Sequence, residues 1–297
     1  MKVVNSLILA FCVLTNGTQS IAESPFIEIH GHRGARAVLP ENTIPALQYA
    51  IEVGVDVLEF DLAVTKDDHL VLSHNPHIDG HICVDKNGNK VPEKGELIRD
   101  LTLVQVQSYD CGALQNPRFK NQSTKTGTKI PSLDEVFEML TTYPSELAKT
   151  VMFNIETKIY PESPEFTVGP TQFAKLLYAS LQKHNVVDRT VVQSFDFRTL
   201  IAIRLLDRKI KIAALLKDSR PSFTAVAKGL NPNYISPNAN LLTNENISIA
   251  HFYGVKVVPW TVNEKDDWDR LIMMGVDGII TDDPQPLVQY MESLQLR

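Results

Sequence analysis

The stretch "VDVLEFDLAVTKDD" sets Glu59 and Asp61 two residues apart inside an otherwise apolar run. Side chains alternate across a strand, so Leu58, Phe60 and Leu62 share one face while Glu59 and Asp61 share the other with Val55 and Val57. Two carboxylates so close repel unless a positive charge lies between them. One hard divalent ion, Mg²⁺ or Ca²⁺, satisfies both; the bland alternative is a pair of solvated carboxylates on an exposed edge. "VMFNIETK" repeats the pattern, with Phe153 and Ile155 on the apolar face and Asn154, Glu156 and Lys158 opposite. Glu156 offers a third oxygen ligand. Lys158 offers a fixed positive charge, either paired to one of these acids or turned toward a substrate.

Two histidines end apolar runs: His32 closes "FIEIHGH" and His74 closes "HLVLSH". One histidine alone is more often structural. Two at C-terminal strand ends, beside carboxylates and Arg33, suit a general acid/base pair. His30 points to the same side as His32 but deeper, where a hydrogen-bonded core role fits better. His69, His77, His81, His184 and His251 have no comparable setting. Arg33 brings the planar fork that grips phosphate. A metal with Arg and Lys neutralises phosphoryl oxygens while two histidines move protons on opposite sides of phosphorus. These residues point to phosphodiester cleavage. No GxSxG elbow or Walker loop competes.

The elements that must position these groups alternate strand and helix. Strand-like runs include "FIEIH", "VDVLEFDLAV", "HLVLSH", "TVMFNIETK", "TVVQSF", "KIAALL", "NYISP", "VKVVPWTV" and "VDGIIT". "TIPALQYAIEVG" carries Ile44, Leu47 and Ile51 at helical spacing, with Pro45 in the first turn and Gly54 past the end. "NEKDDWDRLIMMG" predicts a helix capped by Asn263 and stopped at Gly275. About eight such units suit a TIM (β/α)₈ barrel better than an open doubly wound sheet, and in a barrel the strand C-termini form the catalytic end. Asn75 to about Pro131 breaks the rhythm and is too long for a plain connection, so an inserted cap subdomain is expected at about 75–131, within a single domain spanning 23–297.

Composition sets the remaining bounds. The chain has 297 residues, is 43% hydrophobic and carries a net charge of −6 without any cluster of lysine or arginine. A basic nucleic-acid surface is not expected. Residues 1–22 read as a signal peptide, with a short positive start, an apolar core and "SIA" before Glu23. The apolar run is shorter than the ~20 residues of a membrane span, so no stable span is expected and an uncleaved anchor is the weaker alternative. Export, periplasmic or secreted, leaves Cys83 and Cys111 in an oxidising compartment. They are candidates for a disulfide, with two buried thiols as the alternative.

"GHRGARAVLPENTIPAL", "VDVLEFDLAVTKDDHLVLSH", "NIETK", "PWTVN" and "GVDGIITDDP" together resemble the signature segments of the glycerophosphodiester phosphodiesterase family. The resemblance runs from Ile27 to Pro284 and implies a TIM barrel with an insertion after the second strand. Carried over by position, it implies His32 and His74 as acid/base residues and Glu59, Asp61 and Glu156 as ligands of one divalent ion. It implies Arg33 as the phosphate-binding arginine and Lys158 as a substrate contact. It also implies Glu41 as an acid beside the metal, where the local alternative is a helix start with Asn42 or Thr43 capping. Trp260 matches an aromatic pocket wall, with core packing as its alternative. One position departs from the pattern: Asn75 follows His74 where many relatives carry Asp. An amide cannot supply the charge that raises a neighbouring histidine's basicity.

The implied substrate is a small glycerophosphodiester, cleaved through a cyclic phosphate to sn-glycerol 3-phosphate and an alcohol. A phospholipase-type enzyme acting on lysophospholipids is the second enzymatic reading. A binding protein on a catalytically dead barrel is the third, which the joint presence of His32, Glu59, Asp61, His74 and Glu156 disfavours. The sequence carries no signal for the alcohol, the ion or the oligomeric state.

Overall fold

The computed structural model describes residues 26–297. The expected leader, residues 1–22, lies outside them. Eleven strands run in chain order: β1 Glu28–Gly31, β2 Val57–Val64, β3 Leu70–Leu72, β4 His77–Asp79, β5 Lys94–Leu97, β6 Met152–Thr157, β7 Thr190–Ser194, β8 Lys211–Leu216, β9 Tyr234–Pro237, β10 Lys256–Val257 and β11 Gly278–Thr281. Eight of them pair in parallel in the order β10-β9-β8-β7-β6-β2-β1-β11. The seam between the outer two is laced by backbone bonds from Asp277 N to Val257 O (2.9 Å), Ile280 N to Pro259 O (3.0 Å) and Val262 N to Ile280 O (2.9 Å). The sheet thus closes on itself with helices outside, a TIM barrel.

Alternation on each strand builds two compartments. Leu58, Phe60 and Leu62 of β2 and Phe153 and Ile155 of β6 join the apolar layer between sheet and helices. The barrel interior holds a smaller cluster of Val191, Ala213, Tyr234, Val258 and Ile280. Above it a polar chain crosses the bore. Asn154 Nδ2 meets His30 Nδ1 at 3.4 Å and donates to Gln193 Oε1 at 3.1 Å, and Gln193 Nε2 donates to Glu59 Oε1 at 2.6 Å. His30 is therefore a deep hydrogen-bonded residue. This polar chain links His30, Asn154, Gln193 and Glu59, while Asn154 Oδ1 itself is left without a hydrogen-bond partner.

Two expectations are corrected. "HLVLSH" contributes no barrel strand: β3 turns back and pairs antiparallel with β2, Leu72 against Leu62 and Leu70 against Val64. The loop 65–69 is too short for the helical crossover that a parallel neighbour needs. Asn263 does not cap a helix. Helix Lys265–Met274 starts from Glu264 without a side-chain cap, and Asn263 faces the strand ends instead.

Residues 75–131 fold over the catalytic mouth as the β4–β5 hairpin and short helical turns. They enclose a small core that includes Ile78, Ile82, Ile98, Val106 and Ile130. Cys83 and Cys111 are joined by a disulfide within it.

Gly34 shows how tightly the β1 loop is seated. It adopts φ +83°, and a Cβ there would lie 2.6 Å from the backbone carbon of Ala46 in helix Ile44–Glu52. Gly34→Ala is expected to destabilise the protein by about 2–4 kcal/mol, from left-handed strain plus overpacking against backbone. Urea unfolding of the purified variant measures it.

Candidate active site

The C-terminal ends of β1, β2, β6 and β11 converge on one buried spot. Glu59 and Asp61 point inward from β2, and Glu156 stands beside Asp61 in register on β6. One carboxylate oxygen from each lies within 4.8 Å of the others, and all three side chains are buried. Burial and the charges of Asp61 and Glu156 push the Glu59 carboxyl well above its ordinary range. Burial and Asp61 push Glu156 up to about 7, against the pull of Lys158. Burial would raise Asp61 as well, but Arg33 and Lys158 override it and hold it well below the carboxylate range. Three hard oxygen donors whose mutual repulsion Arg33 and Lys158 relieve only in part form a group able to hold a metal ion.

The cations around them are fixed. Arg33 takes a left-handed backbone, φ 51°, which puts its N–H 2.8 Å from Glu59 Oε2. Its guanidinium donates to Glu41 Oε1 at 2.6 Å and lies 3.1 Å from Asp61 Oδ2. Lys158 Nζ donates to Glu156 Oε1 at 2.7 Å and lies 3.7 Å from Asp61. Arg36 lies 3.3 Å from Glu41 and 3.7 Å from Asp282. Five carboxylates, Glu41, Glu59, Asp61, Glu156 and Asp282, thus face three permanent cations. The surplus of two negative charges is what one divalent ion neutralises. The donor set fits such an ion.

Glu41 sits with Arg33 and Arg36 rather than against Glu59 or Glu156, and Thr43 caps the helix behind it. Trp260 lies at the barrel rim. Its indole donates to Ser236 O at 2.8 Å, its ring meets Phe195 edge-on, and it packs on the inner-barrel cluster. These are packing contacts, and the cavity beside His74 is lined by other residues.

The histidines are presented in two different ways. His32 Nδ1 meets Asp282 Oδ1 at 2.5 Å, while Asp282 Oδ2 accepts from Asn263 Nδ2 at 2.9 Å. Asp282 N and Thr281 Oγ1 in turn donate to Asn263 Oδ1. His74 is carried back to the acidic cluster by the β2–β3 reversal, with Ser73 N bonded to Asp61 O at 3.0 Å. Its Nδ1 meets the Asn75 amide oxygen at 3.0 Å. Both imidazoles therefore leave Nε2 as the nitrogen free for proton transfer. Burial lowers the pKa of both; for His74, where Lys158 and Arg33 add to the effect, it falls to about 3. Between barrel mouth and insertion lies a cavity of about 540 Å³, lined by Arg33, Arg36, His74, Asn116, Tyr160 and Phe166 among others.

Asp282, Asn263 and Gln193 carry no site role in the sequence reading, Asn263 being expected there only as a helix cap. Gln193 follows from the same alternation that exposed Glu59, since "TVVQS" turns Val191 and Gln193 inward. Asp282 lies in the quoted "TDDP", but nothing local ties it to a histidine 250 residues earlier. Asp282→Asn is expected to lower kcat by on the order of 10²–10⁴ with little change in fold, because an amide no longer fixes the imidazole tautomer. Steady-state kinetics beside a thermal melt check it.

A closed barrel that gathers three buried acids, two oriented imidazoles and an arginine at its catalytic mouth defines a hydrolase acting on phosphoric diesters. Comparison with known proteins narrows the class. The Glycerophosphoryl diester phosphodiesterase family profile matches residues 32–286. A glycerophosphodiester phosphodiesterase of Caldanaerobacter subterraneus subsp. tengcongensis is 33% identical over 267 residues, 86% of this chain and 94% of that one. Among solved structures, a candidate glycerophosphoryl diester phosphodiesterase from Silicibacter pomeroyi superposes with TM-score 0.82 at 27% identity, covering 90% of this chain and 95% of its own. An Oleispira antarctica phosphodiesterase, solved with sn-glycerol-3-phosphate, superposes with TM-score 0.73 at 19% identity, covering 90% and 97%. The chain belongs to the glycerophosphoryl diester phosphodiesterase family and is a phosphodiester hydrolase.

Proposed function

We propose that the protein cleaves glycerophosphodiesters to sn-glycerol 3-phosphate and an alcohol through a cyclic phosphate. The observation that carries this reading is the buried trio Glu59, Asp61 and Glu156 with Arg33 and Lys158 beside it, together with two histidines, His32 and His74, each held at Nδ1. Arg33 and Lys158 hold the phosphate. One histidine takes the proton of the glycerol C2 hydroxyl as that oxygen attacks phosphorus, and the other protonates the departing alcohol. The nucleophile is tethered to the phosphate it attacks, which gives a high effective molarity. Water then opens the ring with the histidines exchanging roles. A divalent ion held by Glu59, Asp61 and Glu156, Mg²⁺ or Ca²⁺, supplies Lewis-acid charge when bound.

Export is part of the proposal, as periplasmic or secreted protein. It rests on the leader-like residues 1–22 and draws support from the Cys83–Cys111 disulfide, a bond that persists in oxidising compartments. No helix among the described residues is long and apolar enough to cross a membrane.

A lysophospholipid substrate is the second reading, favoured by an apolar groove of about 570 Å³ on the rim, lined by Ile159, Phe195, Ile201 and Leu215 among others. One experiment separates the two. Release of the alcohol, choline or ethanolamine, is followed over glycerophosphocholine, glycerophosphoethanolamine and lysophosphatidylcholine, with and without chelator. The phosphate product is identified as glycerol 3-phosphate from the diesters or lysophosphatidate from the lysolipid. Release from the soluble diesters that stops on chelation supports the proposal; turnover of the lysolipid alone replaces it with the second reading. Binding without turnover of any of the three sinks both.

A further inference from the structure

The pattern that supports His32 recurs around His74 with the two partner types exchanged. His32 leans on a carboxylate, Asp282, which is held by an amide, Asn263. His74 leans on an amide, Asn75, whose Nδ2 donates to a carboxylate, Asp79 Oδ2, at 2.9 Å. We propose that Asp79, on β4 of the insertion, is a positioning residue that acts through Asn75 to fix the tautomer of His74. The proposal rests on the acid/base role assigned to His74 above.

The argument is one of donors and acceptors. A carboxylate only accepts, so Asp79 obliges Asn75 to turn its NH₂ toward it and its carbonyl oxygen toward His74. That oxygen accepts from Nδ1–H, which leaves Nε2 unprotonated and able to take a proton. With the amide reversed, an N–H would face Nδ1, the proton would move to Nε2, and the ring could no longer act as a base. Nothing else in the segment makes this choice. The backbone is already pinned, with Asn75 O accepting from Ser73 Oγ at 2.8 Å and His74 O from Tyr160 Oη at 3.1 Å. Asp79 is itself held, because its Oδ1 accepts from the His81 backbone N at 2.9 Å and meets His81 Nδ1 at 3.0 Å. Its carbonyl oxygen accepts from Ile82 N and Cys83 N, the latter beside the disulfide. The insertion thereby reaches the catalytic histidine through one hydrogen bond.

The same inventory explains how Asn serves after His74. Asp at 75 would place a second carboxylate 2.9 Å from Asp79, where like charges repel. In this chain the charge stands one residue further out and the amide transmits its orientation.

The test is a reciprocal exchange. In Asp79→Asn the single carbonyl oxygen is claimed by the His81 N–H, its NH₂ faces Asn75, and the Asn75 amide reverses. We expect kcat to fall roughly tenfold or more with KM held, a size typical of losing a partner that orients a working imidazole. ¹⁵N shifts of the free protein should move His74 from the Nδ1–H toward the Nε2–H tautomer. The double variant Asn75→Asp/Asp79→Asn restores an acceptor beside His74 and a donor beside it, so both kcat and the tautomer recover. A merely structural role predicts a lower melting temperature, an unchanged tautomer and additive losses in the double variant; that pattern overturns the proposal. So does Asp79→Asn with kcat within about twofold of the parent, well short of the usual loss. The tautomer is read without substrate, so failure here is distinct from failure of the proposed reaction, which the parent protein's diester assay reports.

Discussion

His32→Ala is expected to cut kcat by on the order of 10²–10⁴, the usual worth of a positioned proton-transfer group. His74→Ala is expected to do the same, with KM changed little in either. The reason is geometric. Each imidazole spends Nδ1 on its own support, Asp282 or Asn75, and holds Nε2 free, so neither can stand in for the other. The groups proposed to grip phosphate, Arg33 and Lys158, are tied to acids and not to the histidines, so binding should survive. Proton removal and proton delivery belong to one sequence of steps, and the double alanine variant should therefore lose little more than either single. Initial rates of glycerol 3-phosphate release over a substrate series measure both parameters. An alanine variant that keeps kcat within about fivefold would remove that histidine from the reaction.

The second large effect concerns the acids without their ion. In chelated protein, Glu59 and Glu156 should contribute a loss of stability as pH rises from about 4.5 to about 7. Glu156 keeps a proton in the folded state up to about 7, whereas the unfolded chain releases it near 4.5, and Glu59 shifts in the same direction. On these two acids the folded state binds more protons across that window, so their share of the stability falls as pH rises. His32 and His74, depressed by burial, contribute in the opposite sense below about 6.5. An added ion takes the place of those protons, and its stabilisation should grow across the same window. Thermal melts at pH 5 and 7.5, with chelator and with Mg²⁺ or Ca²⁺, test this. An ion effect independent of pH, or one left unchanged by Glu156→Gln, would contradict the buried trio as the binding group. In chelator, the melting temperature of Glu156→Gln should gain on that of the parent as pH rises through this window.

What could be read from the sequence follows the range of the forces involved. Strand alternation is local, and it turned Glu59, Asp61 and Glu156 to one side and the leucines and phenylalanines to the other. Eight repeated units implied a closed barrel, and eight parallel strands form it. Local rules failed where a side chain had two possible partners. Asn263 has ideal chemistry for a helix cap, yet its amide serves Asp282 and Thr281, partners 19 and 18 residues away. The reversal at β3 hinges on a short loop that periodicity does not register. Arg33 looks like a phosphate ligand from its type, but its left-handed backbone, which aims the N–H at Glu59, is set by the folded loop.

The strand order has a consequence for how this molecule can change. Its charged groups and both histidines come from one arc, the ends of β11, β1, β2 and β6 and the turns that follow them. The opposite arc, β7 to β10, sends in supporting neutral side chains such as Gln193, and its rim carries exposed apolar residues such as Phe195 and Ile201. Half of the ring is thus constrained by the reaction and half is not. Loops on the unconstrained half can lengthen, shorten or exchange residues to suit a different leaving group while the chemistry stays in place.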